Sequence, residues 1–192
     1  AAAGLMALRI IGGEYRSRLL KTPSGRNTRP TRAMVREAVF NMLQGVCQAA
    51  RVLDLFSGSG AMGFEALSRG AASAVFCDAD REAAETVKAN AELLNASDRS
   101  LILHTAWQAA LKGLAEAGRR FDLIFLDPPY GLKPDEVLER VAELDLLDAD
   151  GRIVLEHAAA VHPLIPDAFS LFRYRTYGVT ALSILSKGEG QI

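Results

Sequence analysis

The tetrapeptide Asp127-Pro128-Pro129-Tyr130 carries the densest chemistry in this chain of 192 residues. Two consecutive prolines fix the backbone and remove two N–H donors, so the local carbonyls face outward as acceptors only. Asp127 adds a carboxylate acceptor and Tyr130 a flat aromatic face. This set suits an exocyclic amino group on a heterocycle, whose lone pair is delocalised into the ring. The Asp127 carboxylate and the Pro128 carbonyl would take its two hydrogens, localise the lone pair and aim it at an electrophilic carbon. Orientation then supplies much of the rate. Asp127 need not be a strong base, because the nitrogen becomes acidic as it is alkylated. Tyr130 would stack on the ring, as aromatic groups do in pockets for flipped-out bases. The plainer alternative is a rigid turn with a surface tyrosine, which an isolated Asp-Pro-Pro would deserve.

A second constellation lies upstream. Asp54, Phe56, Ser57, Gly58, Ser59 and Gly60 run off an apolar strand into a glycine-rich turn. Glycines there let the backbone approach a ligand closely. Asp78 ends the next strand, and a carboxylate there can accept bonds from both hydroxyls of a ribose. The literal pattern Gly58-x-Gly60-x-x-Gly63 also satisfies a dinucleotide fingerprint, so the turn alone does not separate a nicotinamide enzyme from a methyltransferase. Two features favour the methyltransferase. Asp54, facing the ligand, would repel a pyrophosphate and suit the cationic amino-acid part of S-adenosylmethionine. Asp127 to Tyr130 has no role in hydride transfer. The plainer readings are an internal cap on the turn for Asp54 and a helix N-cap for Asp78, although Asp80 is better placed for that task.

The elements that must position these groups are legible as alternation. Arg51–Leu55, Ala74–Cys77, Leu101–His104, Phe121–Leu126 and Arg152–Leu155 read as strands. Helices are expected over Met62–Ser68, Arg81–Leu94, Trp107–Ala117 and Pro134–Leu144, and Phe169–Tyr177 with Val179–Leu185 as a closing hairpin. The expectation is an α/β, Rossmann-like, doubly wound and mainly parallel sheet of seven strands, one of them antiparallel. Upstream, Arg9–Leu20 reads as a small β-hairpin around Gly12-Gly13. Thr31 is the candidate N-cap of a helix carrying Met34, Val35, Ala38, Val39, Met42 and Leu43. Residues 1–5 precede Met6 and are set aside as an expression scar. Residues 6–36 form a basic arm and 37–192 the catalytic domain.

Charge is uneven. Net charge is −1, yet residues 1–36 hold eight basic groups and one acid, leaving −8 for the remainder. A cationic arm on an anionic body points to a polyanionic partner held by one face, against the alternative of a merely solvated arm. Cys47 and Cys77 have no metal-type spacing with the three histidines, so no metal is expected and a reducing, cytoplasmic setting is. No stretch approaches the ~20 apolar residues of a membrane span.

Taken together, Asp54 to Gly60, Asp78 and Asp127 to Tyr130 resemble the motifs of class I amino-methyltransferases. Arg9-Ile10-Ile11-Gly12-Gly13, Arg29-Pro30-Thr31 and Val35 to Asn41 more specifically resemble the opening of the bacterial 16S ribosomal RNA guanine-N2 methyltransferases. The likeness runs from about Arg9 to Leu185. It implies S-adenosylmethionine as cofactor, held by Asp54, Phe56, Ser57, Gly58, Ser59, Gly60, Asp78, Ala79, Ala106 and Asp127. It implies catalysis by Asp127, Pro128, Pro129 and Tyr130, and a monomer acting on the small ribosomal subunit. Thr31 and Arg36 would help shape the active site, and with Arg16, Arg18, Arg29 and Arg32 they make the RNA-binding set. For Arg36 an ion pair with Glu37 or another carboxylate is an open alternative. One departure is the lack of an acid in His104-Thr105-Ala106-Trp107, after the third strand, so adenine recognition there would use backbone atoms. Trp107 reads as core, with a cover over the adenine ring as the alternative, and His157 as structural. An adenine-N6 enzyme, a glutamine methyltransferase, a nicotinamide oxidoreductase and a non-catalytic RNA-binding module stand as alternatives.

Overall fold

The computed structural model describes residues 7–24 and 30–188. Seven strands form one sheet: β1 (Arg51–Asp54), β2 (Ser73–Asp78), β3 (Ser100–His104), β4 (Phe121–Leu126), β5 (Leu147–Ala158), β6 (Phe169–Tyr177) and β7 (Thr180–Lys187). Their order is β3-β2-β1-β4-β5-β7-β6. β1 to β5 are parallel to their neighbours, and β7 runs antiparallel between β5 and β6. The single antiparallel strand is thus inside the sheet, and β6 is the edge. The chain leaves β1 toward β2 and β3, then returns to β4 on β1's other side. That reversal is a topological switch point, where open α/β sheets bind ligands beyond the carboxyl ends of their strands.

Among the described residues five α-helices cover the sheet: α1 (Pro30–Met42), α2 (Ala61–Ser68), α3 (Arg81–Leu93), α4 (Trp107–Glu116) and α5 (Pro134–Glu143). Period-two alternation assigns each strand residue to one layer. Val52, Phe125, Val154 and Leu182 pack with α1, α2 and α3, while Leu53, Ile124, Leu126 and Leu155 pack with α4 and α5. Asp80 caps α3 by accepting from the Glu82 amide at 2.8 Å. Among the described residues no helix is long and apolar enough to cross a membrane.

Three expectations need correction. α1 starts at Pro30, so Thr31 lies inside the helix and is not its cap; proline suits a first helical position, where its missing N–H is not needed. β5 is far longer than Arg152–Leu155, because β4 pairs with it already at Leu147 and β7 pairs with it on to Ala158. The Arg9–Leu20 hairpin is reduced to one antiparallel bridge, Arg9 to Leu19, and its turn falls at residues 14–17 rather than at Gly12-Gly13.

The glycine pair has another use. The arm crosses the C-terminal end of α2 so closely that a Cβ on Gly13, whose φ is +81°, would lie 1.9 Å from the Ser68 carbonyl oxygen. The Glu14 and Tyr15 amides donate to Ser68, at 2.7 Å to its carbonyl and 2.8 Å to its hydroxyl. Glu65, fully buried in α2, accepts from the Ile11 and Gly12 amides, both at 2.9 Å. It also pairs with Arg69 at 2.9 Å and Arg36 at 3.8 Å. Ile10, Tyr15 and Leu20 thereby join the core beside α1. The arm packs against the rest of the chain through these contacts, and residue 36 lies within α1.

Removing Glu65 would strand two guanidinium groups and two amides. We expect Glu65→Ala to cost about 3–5 kcal/mol, as breaking a buried ion pair does. Urea unfolding checks the loss, and limited proteolysis should find new cleavage within residues 7–24. An arm that stays protected would show that apolar packing alone docks it.

Candidate active site

Four carboxylates gather at the rim where the parallel strands end. Asp54 closes β1 and Asp78 closes β2; Asp127 directly follows β4, and Glu156 lies near the end of β5. Register places Asp54 opposite Phe125, and Leu126 opposite Leu155. One step further along, Asp127 and Glu156 occupy adjacent positions. Asp54 follows the alternation of Val52, and Glu156 that of Val154, so both face the layer of α1 and the arm.

The turn after β1 is held by these acids. Asp78 accepts from the Gly58 amide at 2.9 Å and the Asp80 amide at 3.0 Å. Each oxygen keeps a second lone pair, so the carboxylate can still receive ribose hydroxyls. Asp54 accepts from the Gly63 amide at 3.1 Å, which is the internal cap of the plainer reading, while its carboxylate also lines a cavity. Gly63 answers to packing, because a Cβ there would come 2.3 Å from the Phe76 ring.

Two cavities meet at this rim. The first, of about 350 Å³, lies beneath the arm and α1 and is walled by Ile10, Val35, Asp54, Ser57, Phe125 and Glu156. The second, of about 380 Å³, is walled by Asp78, Ala79, Ala106, Trp107, Pro128 and Tyr130. Arg32, Phe56 and Asp127 line both. Burial pushes the Asp54 carboxyl up to about 7, against the Gly63 hydrogen bond, and Asp127 and Asp78 push the same way. Glu156 also rises to about 7, first by burial and then by Asp127, with Arg32 opposing. The first cavity is thus rich in carboxylates whose charge a cation or hydrogen-bond donor would stabilise.

The other expected residues lie as follows. Gly58 and Ser59 line the first cavity, whereas Gly60 lines neither; its φ of +80° serves the turn. Pro129 and Tyr130 stand at the mouth, with Tyr130 fully exposed. Arg16, Arg18 and Arg32 are exposed, and Arg18 donates to the Leu93 carbonyl at 2.5 Å. Arg29 and the side chain of Thr31 lie outside the described residues. Arg36, expected among the RNA contacts, is 6% exposed and directs its guanidinium to Glu65 and to the Arg9 carbonyl at 2.7 Å. It braces the interior, which makes Glu65 the carboxylate partner that the sequence left open. Trp107 is half-buried: it packs against the apolar layer of α4 and α5, and its ring, 6.5 Å from Phe56, also walls the second cavity. His157 is buried and bonded to Ser183 Oγ and the Ala158 carbonyl, both at 2.9 Å. Sequence reasoning passed over Glu156; its signal was an acid ending the apolar run Ile153-Val154-Leu155 at the rim shared with Asp127. Among the described residues no group of three His, Cys, Asp or Glu could hold a metal.

Comparison with known proteins gives consistent findings. The family model described as conserved hypothetical protein 95 matches residues 8–186. The chain is 38% identical to YlbH of Bacillus subtilis, provisionally named an rRNA methyltransferase, over 94% of this chain and 99% of that protein. It is 33% identical to ribosomal RNA small subunit methyltransferase D of Escherichia coli K12, over 96% of this chain and 92% of the relative. Among solved structures, yhhF of Escherichia coli, provisionally named a methyltransferase, superposes with a TM-score of 0.83 at 30% identity, covering 95% of this chain and 98% of that one.

The buried acid at the end of β1 makes stability depend on pH. Asp54 binds its proton more tightly in the fold, about 7 against an ordinary value near 3.9. Stability from this group is therefore fullest below pH ~4, falls as pH rises to about 7, and is level above. Asn cannot titrate, so Asp54→Asn should raise the melting temperature of the ligand-free protein at pH 8 by ~5 °C more than at pH 4.5. Equal shifts at both pH values in thermal melts would refute the assigned ionisation.

Proposed function

The chain belongs to the conserved hypothetical protein 95 family, and we propose that it transfers a methyl group from S-adenosylmethionine to the exocyclic N2 of a guanine in 16S ribosomal RNA. The observation that carries this reading is the meeting of the two cavities at Asp127. The second cavity has the acid, backbone and aromatic walls that suit a nucleoside and carries the Asp-Pro-Pro-Tyr turn at its mouth; the first, joined to it at Asp127, is lined with the carboxylates of Asp54, Asp127 and Glu156. The relatives named for ribosomal RNA methylation support the substrate class.

The residues fit S-adenosylmethionine. Asp78 would receive the ribose hydroxyls, and the backbone around Ala79 and Ala106 would meet the adenine, with Phe56 and Trp107 as walls. Asp54 and the Phe56–Gly60 turn would face the cationic amino-acid part, whose charge would hold the Asp54 carboxyl ionised. When bound, the cofactor supplies a methyl group on a positively charged sulfur.

The chain's own work is placement. The Asp127 carboxylate and the Pro128 carbonyl each accept one hydrogen of the target amino group and turn its lone pair toward the methyl. Tyr130 offers its exposed ring as a stacking face for a base drawn out of its helix. Asp127, itself exposed, receives the proton shed by the nitrogen and passes it to water. Arg16, Arg18, Arg29 and Arg32 hold RNA phosphates, which fixes register without reading sequence. We place the protein in the cytoplasm, working as a monomer on the small ribosomal subunit.

Labelled S-adenosylmethionine offered to small subunits, naked ribosomal RNA and duplex DNA tests the reading. We expect N2-methylguanosine in the ribosomal samples; N6-methyladenine in DNA would overturn the substrate. Asp127→Ala should lower turnover by at least about a hundredfold while cofactor affinity stays nearly intact, since it removes an orientation term. A large loss of cofactor binding in calorimetry would sink its role. Neutralising Arg16, Arg18 and Arg29 together should flatten the salt dependence of RNA binding by about 0.7–0.9 log unit per lost phosphate contact. An unchanged slope would mean that the arm is only solvated.

A further inference from the structure

We infer that Glu156 reads the Watson–Crick edge of the target base, its carboxylate accepting the guanine N1–H beside the amino group that Asp127 holds. The inference rests on the guanine-N2 reading above and gives that reading its source of selectivity. Asp127 and the Pro128 carbonyl ask only for an amino group, and adenine and cytosine carry one too. Guanine differs in presenting a second donor, N1–H, immediately next to its N2 amino group. Adenine presents a lone pair at the matching position. A site that selects guanine therefore needs a second acceptor adjacent to Asp127, and an ionised carboxylate is an acceptor only.

Glu156 occupies that place. The β4–β5 register continues from Leu126 and Leu155 to Asp127 and Glu156, and neighbouring strands are ~4.8 Å apart. That spacing lets two carboxylates reach adjacent donors on one base edge. Both line the first cavity, under the arm and α1, with Arg32 on the same wall. Consistent with that placement, Asp127 helps raise the Glu156 carboxyl. A guanine edge would supply the donors that stabilise both as anions. Against adenine the same pair sets lone pair against lone pair at N1, a repulsive element that sharpens the choice.

The test uses the full-length protein saturated with S-adenosylhomocysteine, so that binding rather than turnover is read. The wild-type product and its position in small-subunit RNA are mapped first. RNA is then prepared with either guanine or 2-aminopurine at that position. 2-Aminopurine keeps the N2 amino group but carries a lone pair at N1. Wild type should prefer guanine by about tenfold or more, as a site built around a hydrogen bond does. In Glu156→Gln the amide can donate to N1 or accept from it, so the ratio should fall toward one while S-adenosylhomocysteine affinity changes less than twofold. Glu156→Ala should also lose the preference, and a thermal melt of each variant establishes that it is folded. A purely structural glutamate would alter both RNAs alike; an undiminished ratio in the two variants, or no preference in wild type, overturns the proposal. A wild-type product other than N2-methylguanosine defeats the underlying reading instead, before any variant is made.

Discussion

A carboxylate sealed from water decides where this site can be. Glu65 sits on the side of α2 that faces the arm and accepts two arm amides while opposing two guanidinium groups. Unpaired buried charge is costly, so the arm, α1 and α2 are obliged to meet at that point. Their meeting roofs the first cavity with Ile10 and Val35. The floor is the sheet itself, and neither surface alone would enclose anything.

The sheet adds a second constraint, one of parity. Side chains alternate along a strand, so a polar residue placed two positions beyond a buried one emerges on the same face. Asp54 after Val52 and Glu156 after Val154 both obey this, on strands flanking β4. β4 ends at Leu126, and the prolines that follow prevent further pairing while leaving carbonyls as acceptors. The acids are thus delivered by the same periodicity that builds the core, and a shift of one residue would turn them toward α4 and α5.

Much of this was legible in the chain. The alternation of apolar strands and amphipathic helices located the sheet strands, and β1, β2 and β4, buried on both faces, leave a near-continuous apolar signature. Asp54, Asp78 and Asp127 stood out as acids closing such strands. What escaped were long-range uses of ordinary residues. Gly12-Gly13 looked like a hairpin turn, yet Gly13 is demanded by Ser68, far along the chain. For Arg36 an ion pair stood open beside the RNA contact, but nothing local pointed to Glu65, in α2, as the partner that turns it inward. Glu65 itself is a helical glutamate with no local mark of burial. Trp107 reads as core by type, but its neighbour Phe56 makes it a wall.

The rim of β6 carries a different consequence. It is the sheet's outer strand, exposed along most of its length, with Phe172 half uncovered. Unpaired edges of this kind are templates on which another chain could add a strand and begin aggregation. Two features oppose that here. The pairing slips between Leu171 and Arg173, which breaks the regular spacing of free amides and carbonyls. Arg152 and Arg173 both lie over the Phe172 ring, at 4.7 and 5.5 Å, so the most adhesive side chain on the edge is wrapped in like charge. A second copy approaching edge to edge would have to bury those cations against its own, and the same strand that completes the sheet keeps it from growing.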